Sequence, residues 1–383
     1  MNQFNAHPSQ IRLARVMSSV RLVGPPFDEK LVRLVAHLFS PEEADIARRL
    51  PFYYPQSLRM ISLRTLTAME KLLPLLNSMA DRKVILRTEG GFSLLPLIPG
   101  MFEHMLMDGV DTPWHREYAR LLADVYTTGY VRDYGRVKLP AVKNIPVNVE
   151  VPGAGRVADS DAVAEMIEAH DDLAVANVCQ CRQSIAFVDG TCYRSAPEDG
   201  CLIFGSFAAG TINGGSGRRV DRSEMTDIVA GRREKKLVFL TANITAENPN
   251  AICTCCDCCC HFLESVNHYG CGNLMAPPPR LARVDEGLCN NCGLCVKACN
   301  TAAHKLAEKK HTYSSGKCLG CGLCVPVCRK GAISMAANPA YRPPARGFAS
   351  LGISLAPKTA ISGLRAILAR RKPQETITGG ARQ

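Results

Sequence analysis

Two cysteine-rich stretches near the C-terminal end of the chain decide the fold of this region: CNNCGLCVKAC at residues 289–299 and CLGCGLCVPVC at residues 318–328. In both stretches two residues separate the first three cysteines, and three residues precede the fourth. Both also contain Cys-Gly-Leu-Cys-Val, so the two stretches are internal repeats. Cysteines spaced this closely and regularly are typical of metal ligation rather than of disulfide bonding.

The spacing predicts two [4Fe–4S] clusters with crossed ligation. A short loop wraps three thiolates around three corners of one cubane, whereas the fourth cysteine begins a helix that points away and binds the other cluster. We therefore expect these ligand sets: Cys289, Cys292, Cys295 and Cys328 for one cluster, and Cys318, Cys321, Cys324 and Cys299 for the other.

These repeats resemble the bacterial two-cluster ferredoxins, and the resemblance implies single-electron transfer through two [4Fe–4S] clusters. The ferredoxins usually have proline after the fourth cysteine, whereas this chain has Asn300 and Arg329 there. An arginine beside a cluster would favour its reduced, more negative state, provided that solvent does not screen the guanidinium.

Eleven further cysteines lie outside the repeats, six of them in the run Cys253–Cys260. Adjacent cysteines point in different directions on any backbone, so one site cannot easily use all six. Four thiolates suffice for a third iron–sulfur centre or a structural zinc, and the remaining alternative is redox-active or merely buried thiols. We predict that nine of the eleven bind metal: Cys179, Cys181, Cys192, Cys201, Cys253, Cys255, Cys256, Cys258 and Cys259.

The order of these motifs resembles that of an uncharacterised family of multi-cysteine, ferredoxin-like proteins. They combine a Cys-x-Cys-Arg segment and a Cys-x-Cys-Cys-x-Cys-Cys-Cys segment with a C-terminal two-cluster domain behind a helical N-terminal domain. The resemblance covers roughly residues 30–335 and implies an electron-transfer protein or a redox-enzyme component, with no substrate specified. In this setting Arg182 either balances the charge of a cluster or forms a surface salt bridge, whereas His304 and His311 are expected in a solvated loop.

The N-terminal part of the chain has helical apolar spacing followed by a hairpin pattern. Ser40, Pro41 and Glu43 form a capping box that begins a helix, and a third helix is expected from about Ser62 to Ala80. A hairpin around Gly90 follows. Three helices and a hairpin predict a winged helix, which serves either protein interaction or DNA binding.

The resulting fold class is α+β and multidomain, with a winged-helix-like domain, a small cysteine-rich α/β domain that begins with a Pro/Val/Gly-rich linker, and a ferredoxin-like domain. The expected divisions are a loosely held leader at 1–26, the helical domain at 27–139, the cysteine-rich domain at 140–285, the ferredoxin domain at 286–335 and a basic, flexible tail at 336–383.

Charge and hydropathy restrict the partners and the location. The net charge is +11, and residues 336–383 contribute +7 of it through eight Lys or Arg and one Glu. The basicity therefore belongs to the tail, and nucleic acid is an unlikely partner. Ile361, Leu364 and Leu368 share a helical face near Arg365, which suits a membrane surface or an acidic partner; the alternative is a disordered tail.

The chain has no continuous stretch of 18 apolar residues and no signal-peptide pattern, so we expect a cytoplasmic, reducing location. The favoured function is iron–sulfur electron transfer with redox partner proteins, or the component through which electrons enter a redox enzyme. The alternatives are a redox-sensing regulator that binds DNA, and an oxidoreductase with an open coordination position on its middle-domain metal. No catalytic residue is identified.

Overall fold

The computed structural model describes residues 5–19, 22–52, 54–130, 138–146, 162–245 and 250–370. The chain forms two compact units. The first comprises Met1–Tyr134, Phe187–Gly190 and Ala360–Gln383, and the second comprises Gly135–Ala186 and Thr191–Thr359. The ranges 140–285 and 286–335, which the sequence analysis separates, therefore lie within one unit.

The first unit is mainly helical. Its elements are α1 (Pro8–Met17), α2 (Glu29–Leu38), α3 (Pro41–Ala47), α4 (Leu58–Thr65), α5 (Met69–Asp81), β1 (Ile85–Thr88), β2 (Gly91–Leu94), α6 (Phe102–His104) and α7 (Pro113–Tyr126). Strands β1 and β2 pair in antiparallel fashion, as the hairpin pattern predicts. The α3 capping box is confirmed, because the Ser40 hydroxyl accepts the Glu43 N–H and the Glu43 carboxylate accepts the Ser40 N–H.

Two expectations for this unit need correction. The helix expected from Ser62 to Ala80 is two helices, because Leu66 adopts a left-handed conformation (φ 56°) and ends α4. The range 1–26 contains α1, whose buried Leu13 and Met17 give it a packed face, so it is not a loosely held leader. The order of helices and hairpin does not by itself identify a winged helix, which stays a prediction.

The second unit is built on a six-stranded sheet. Its first elements are β3 (Val142–Ile145), α8 (Ala162–Glu168), β4 (Leu173–Ala176), α9 (Gln180–Ala186), β5 (Leu202–Phe204), α10 (Gly205–Asn213), β6 (Gly217–Arg219), α11 (Arg222–Glu234), β7 (Val238–Ala242), β8 (Ala251–Cys255) and α12 (His261–His268). The strand order is β3-β7-β8-β5-β4-β6. Every pairing in the sheet is antiparallel, although alternating helices and strands more often accompany a parallel sheet. Strand β3 lies in the stretch expected to be a linker, and residues 147–161 lie outside the described part of the chain.

The two faces of this sheet have different roles because side chains alternate along each strand. On one face, Phe239 and Ile252 pack in an apolar core with Met225 of α11. On the other face, Val238, Leu240 and Cys255 pack with Leu263 of α12 and with residues of the second cysteine repeat. The sheet therefore presents its second face to the cysteines.

The ferredoxin repeats lie between two paired strands. The elements here are β9 (Arg280–Val284), α13 (Leu294–Ala298), β10 (His304–Ala307), β11 (Lys310–Tyr313) and β12 (Ile333–Ala337). Strands β9 and β12 are antiparallel, with Val284 opposite Ile333, and β10 pairs with β11 in a hairpin. The boundary expected between residues 285 and 286 therefore separates β9 from the strand with which it pairs.

Where a flexible tail is expected, the structure has a helix, α14 (Phe348–Arg370), which continues through Pro357. Its Ile361, Leu364 and Leu368 are exposed. Residues 371–383 lie outside the described residues. Over the parts of the chain that the structure describes, no helix is both long and apolar enough to span a membrane.

Candidate metal centres

The first candidate centre is a cavity of about 200 Å³ in the first repeat. The cysteines that line it are Cys289, Cys292, Cys295 and Cys328. They form the set expected for one crossed cluster, with three cysteines from the first repeat and the fourth from the second. Cys292 is exposed, so this cavity is open to the surface.

A second, smaller cavity of about 20 Å³ lies in the second repeat. Its cysteines are Cys299, Cys318, Cys321 and Cys324, the set expected for the other cluster. Gly320 approaches β9 closely here: at its φ of +69° a Cβ atom would lie 2.3 Å from the Arg280 carbonyl oxygen. Only glycine fits this position, and its N–H donates to the Cys318 sulfur at 3.4 Å.

Asn300, which stands where ferredoxins usually have proline, joins the first repeat to the sheet domain. It is 2% exposed. Its side-chain amide donates to the Lys236 carbonyl oxygen (2.9 Å), and its side-chain oxygen accepts the Asp257 N–H (3.1 Å). Its own carbonyl oxygen accepts from the Asn267 amide at 2.9 Å. Proline has no side-chain polar group and could replace neither side-chain bond. Arg329, at the matching position of the second repeat, is exposed to solvent.

The two histidines between the repeats are not in a solvated loop. His304 on β10 is 2% exposed, and its Nδ1 lies 3.0 Å from the Nε2 atom of His311 on β11. Their ring nitrogens and the Cys295 sulfur all lie within 4.8 Å of one another. Burial, together with the neighbouring His311, lowers the pKa of His304 to about 4. The His304 ring stacks on His311 and packs against Tyr313 across the β10–β11 pair, a contact that the sequence did not indicate.

The six cysteines of the run Cys253–Cys260 lie on a strand, in a turn and at the start of a helix, and they therefore belong to two separate groups. Cys253 and Cys255 are two residues apart on β8 and share a face, as strand geometry requires. The next residues form a turn, and Cys260 is the N-cap of α12. Neighbouring cysteines therefore point toward two different groups.

The first of these, which we call the six-thiol group, contains six cysteines from four segments. Starting at Cys179, each contacts the next in the order Cys179, Cys181, Cys260, Cys255, Cys253 and Cys201. The Cys201 and Cys253 sulfurs are 3.5 Å apart. Cys255 and Cys260 are buried, whereas Cys253 is exposed, so the group is open at one end. It is wider than a site for a single ion.

The second, which we call the tetrad, contains Cys192, Cys256, Cys258 and Cys259. Their sulfurs all lie within 4.8 Å of one another. The Cys192 sulfur is 3.7 Å from that of Cys256 and 3.4 Å from that of Cys258, and the Cys258 and Cys259 sulfurs are 3.6 Å apart. Four thiols this close can surround one metal ion.

Arg182 lies between the two groups. Its side chain is 2% exposed and donates to the carbonyl oxygens of Asp199 (2.9 Å) and Thr254 (2.7 Å). Burial opposes its charge, but the sulfurs of Cys179 in the six-thiol group and Cys256 in the tetrad more than compensate and raise the pKa of Arg182. The surface salt bridge considered from the sequence is wrong, and the residue is a buried cation among thiols.

Contacts between thiols lower the pKa of some cysteines in both groups. The contact with Cys201 lowers the pKa of Cys253, and the contact with Cys181 lowers the pKa of Cys260. In the tetrad, the contact with Cys256 lowers the pKa of Cys192. The same contacts raise the pKa of the partner thiols Cys181, Cys201 and Cys256, so each group contains thiols of both kinds.

The structure therefore divides the nine predicted metal cysteines into five of the six-thiol group and the four of the tetrad. The sequence prediction omitted Cys260, which the structure places in the six-thiol group at the N-cap of α12. Cys271 is buried outside both groups, with its sulfur 3.7 Å from the Tyr269 carbonyl oxygen.

Comparison with protein families identifies one region of the chain. Residues 282–335 match the model of the 4Fe-4S dicluster domain. No curated protein and no solved structure shows significant similarity to the chain. The matched domain and the cysteine groups indicate an iron–sulfur protein of the electron-transfer type, which implies redox partners in general.

Proposed function

We propose that this protein transfers single electrons between a redox partner and a metal centre in the six-thiol group, through two [4Fe–4S] clusters. The crossed cysteine sets around the two ferredoxin cavities would hold the clusters. The clusters supply low-potential, one-electron chemistry, and the chain tunes it through burial and hydrogen bonds to sulfur. The protein is either an electron carrier or the component of an oxidoreductase that receives electrons.

The observation that carries the proposal is the packing of the second cavity against the six-thiol group. Cys321, which lines the second cavity, packs in the same apolar cluster as Cys255 and Cys260. Leu319 and Leu323 of the second repeat complete this contact. Buried apolar packing excludes water and keeps the two centres at a fixed separation.

Asn300 supports the same arrangement from the other side. It follows Cys299, a cysteine of the second cavity, and its side chain binds the backbone N–H of Asp257. Asp257 lies in the turn between Cys255 and Cys260. The cysteines of the second cavity and the six-thiol group are thus linked by a hydrogen bond of the buried Asn300 as well as by apolar contacts.

The first cavity suits contact with a partner. It is open, and Arg329 and Lys330 lie at its rim. Exposed positive charge at this position favours a partner with acidic residues around its own redox centre. Eighteen of the nineteen cysteines lie in the repeats, the six-thiol group or the tetrad, and the need to keep them reduced for metal binding favours a cytoplasmic location.

The DNA-binding regulator is not favoured by the surface of the helical unit. Met60 and Leu63 of α4, Met69 of α5 and Leu66 between the helices are exposed, Leu66 to 90%. The exposed cations of these helices, Arg59, Arg64 and Lys71, are few and have Glu70 among them. DNA binding depends on cations that neutralise phosphates, and apolar side chains cannot replace them. This surface suits protein contact better.

The proposal can be tested by delivering electrons through a protein donor. Anaerobically purified wild-type protein and the Cys292→Ser variant are mixed with a reduced two-cluster ferredoxin, and reduction of each centre is followed by freeze-quench EPR. We expect the variant to reduce its second cluster and middle-domain centre at least ten times more slowly. Methyl viologen, a small donor that does not need the first cavity, serves as control and should reduce both proteins.

Two outcomes would contradict the proposal. One is a middle domain that holds no iron in protein with a full complement of ferredoxin clusters. The other is equally fast reduction of the inner centres in wild type and variant by the protein donor.

A further inference from the structure

We propose that the tetrad Cys192, Cys256, Cys258 and Cys259 is a mononuclear zinc site, separate from the iron–sulfur centres. This inference goes beyond the proposed electron transfer and does not depend on it. Its basis is the size of the site, its charge and the way its ligands join two segments of the chain.

The sulfur separations fit one tetrahedral ion. Zinc–sulfur bonds of about 2.3 Å in a tetrahedron place neighbouring sulfurs about 3.8 Å apart. Three of the six separations in the tetrad are 3.4, 3.6 and 3.7 Å, and all six are within 4.8 Å. A cubane has four iron atoms between its cysteine sulfurs, so it needs a much wider set of ligands. The tetrad cannot surround a cubane without moving apart.

The ligands come from two segments that a partly buried ion pair also connects. Cys192 lies in the loop after α9, whereas the other three lie in the turn between β8 and α12. Arg194, two residues after Cys192, binds the Asp257 carboxylate through both Nε and Nη2, the latter at 2.9 Å. A metal ion here would join the same two segments, which is the usual role of a structural zinc.

The surroundings suit an anionic, redox-inert complex. Zinc with four thiolates carries a net charge of about −2. The guanidinium of Arg182 acts on Cys192 and Cys256, and that of Arg194 acts on Cys258. Ile185 and Leu237 pack against the cysteines and limit access of water.

A zinc ion here would also fix the iron–sulfur geometry. The turn that carries the tetrad has Cys255 before it and Cys260 after it, both in the six-thiol group. Asp257, inside the turn, binds Asn300 beside the second cavity. A rigid turn would therefore hold both neighbouring centres in place while taking no electron itself, because zinc has no accessible second oxidation state.

The test is metal analysis of the full-length chain, purified anaerobically, with two matched cysteine variants. Zinc, iron and acid-labile sulfide are measured per chain. We expect one zinc in the wild type, loss of that zinc with unchanged iron in Cys192→Ser, and the reverse in Cys253→Ser, which alters the six-thiol group. Zinc X-ray absorption of the wild type should show four sulfur ligands at about 2.3 Å.

Several results would overturn the zinc site. These are wild-type protein without zinc, zinc with nitrogen or oxygen ligands, or loss of iron rather than zinc from Cys192→Ser. The absorption measurement needs only the wild type, so it decides the matter even if the variant fails to fold. Zinc in the tetrad of a protein that lacks iron would support this inference while contradicting the proposed function.

Discussion

The ferredoxin repeats and the cysteine-rich sheet domain contain similar numbers of cysteines, eight and eleven, but distribute them differently. In each repeat, three cysteines close in sequence line one cavity, and only the fourth crosses to the other. In the run Cys253–Cys260, sequence neighbours separate into two groups. The difference arises because each repeat curves around one centre, whereas the run crosses from β8 through a turn to the N-cap of α12. The strand and the helix start contribute to the six-thiol group, and the turn contributes to the tetrad.

The comparison shows what a spacing motif can and cannot indicate. When all the cysteines of a motif lie in one loop, their spacing in the sequence fixes their positions around the centre. The six-thiol group and the tetrad depend instead on the pairing of β8 with β5 and β7 and on the position of the loop after α9. Four substitutions, given from the largest expected effect to the smallest, test this difference.

Arg182→Met should have the largest effect, because it removes the buried cation that both cysteine groups share. Loss of a charged partner from a buried ionic cluster costs about 3–5 kcal/mol of unfolding free energy. We expect this loss in chemical denaturation, together with lower metal content in the sheet domain. Arg218→Met, which removes an exposed ion pair with Glu224, is the control and should change stability by less than about 1 kcal/mol.

Gly320→Asn makes the second repeat more like the first, where Asn291 occupies the same position. It should destabilise the ferredoxin domain by about 3 kcal/mol, because the new side chain would overlap β9. Loss of the second cluster, measured as iron and sulfide, should accompany it. Asn291→Gly is the reciprocal variant and should keep both clusters; equal effects of the two variants would show that the repeats are equivalent.

Asn300→Pro restores the residue that ferredoxins usually have, and it should uncouple the repeats from the sheet domain. Removing its bonds leaves the Asp257 N–H and the Lys236 carbonyl without this partner, at a cost of about 2–3 kcal/mol. Hydrogen exchange should then increase at the Asp257 N–H, which loses its acceptor. Arg329→Pro changes the matching exposed position, and exchange around Asp257 should stay as in the wild type.

Cys271→Ser should have the smallest effect. Cys271 lies outside both cysteine groups, so iron, sulfide and zinc should stay at wild-type levels. Replacing a buried thiol by a hydroxyl should lower stability by about 1 kcal/mol, measured by thermal unfolding. A loss of metal from this variant would show that the two groups have the wrong membership.

The sequence alone predicts the ferredoxin region well because each repeat carries its geometry within eleven residues. The α3 cap at Ser40 and the β1–β2 hairpin are local in the same sense and are confirmed. The buried state of Arg182 was not predictable, because it results from contacts with Asp199 and Thr254, the latter 72 residues away in the chain. The hydrogen bonds of Asn300 to Asp257 and Lys236 were also not predictable. The absence of the usual proline does not indicate which distant residues the asparagine contacts.

Because β9 pairs with β12, residues 286–335 cannot be moved into another protein as an independent domain. Strand β9 precedes the cysteine repeats, β12 follows them, and the two strands pair with each other. Gly320 lies directly against β9. A fragment cut at residue 286 would lose that strand and leave a row of hydrogen-bonding groups on β12 open to self-association. Evolutionary exchange or engineering of this electron-transfer region therefore has to carry residues 280–337 as one piece, together with a replacement for the surface that Asn300 contacts.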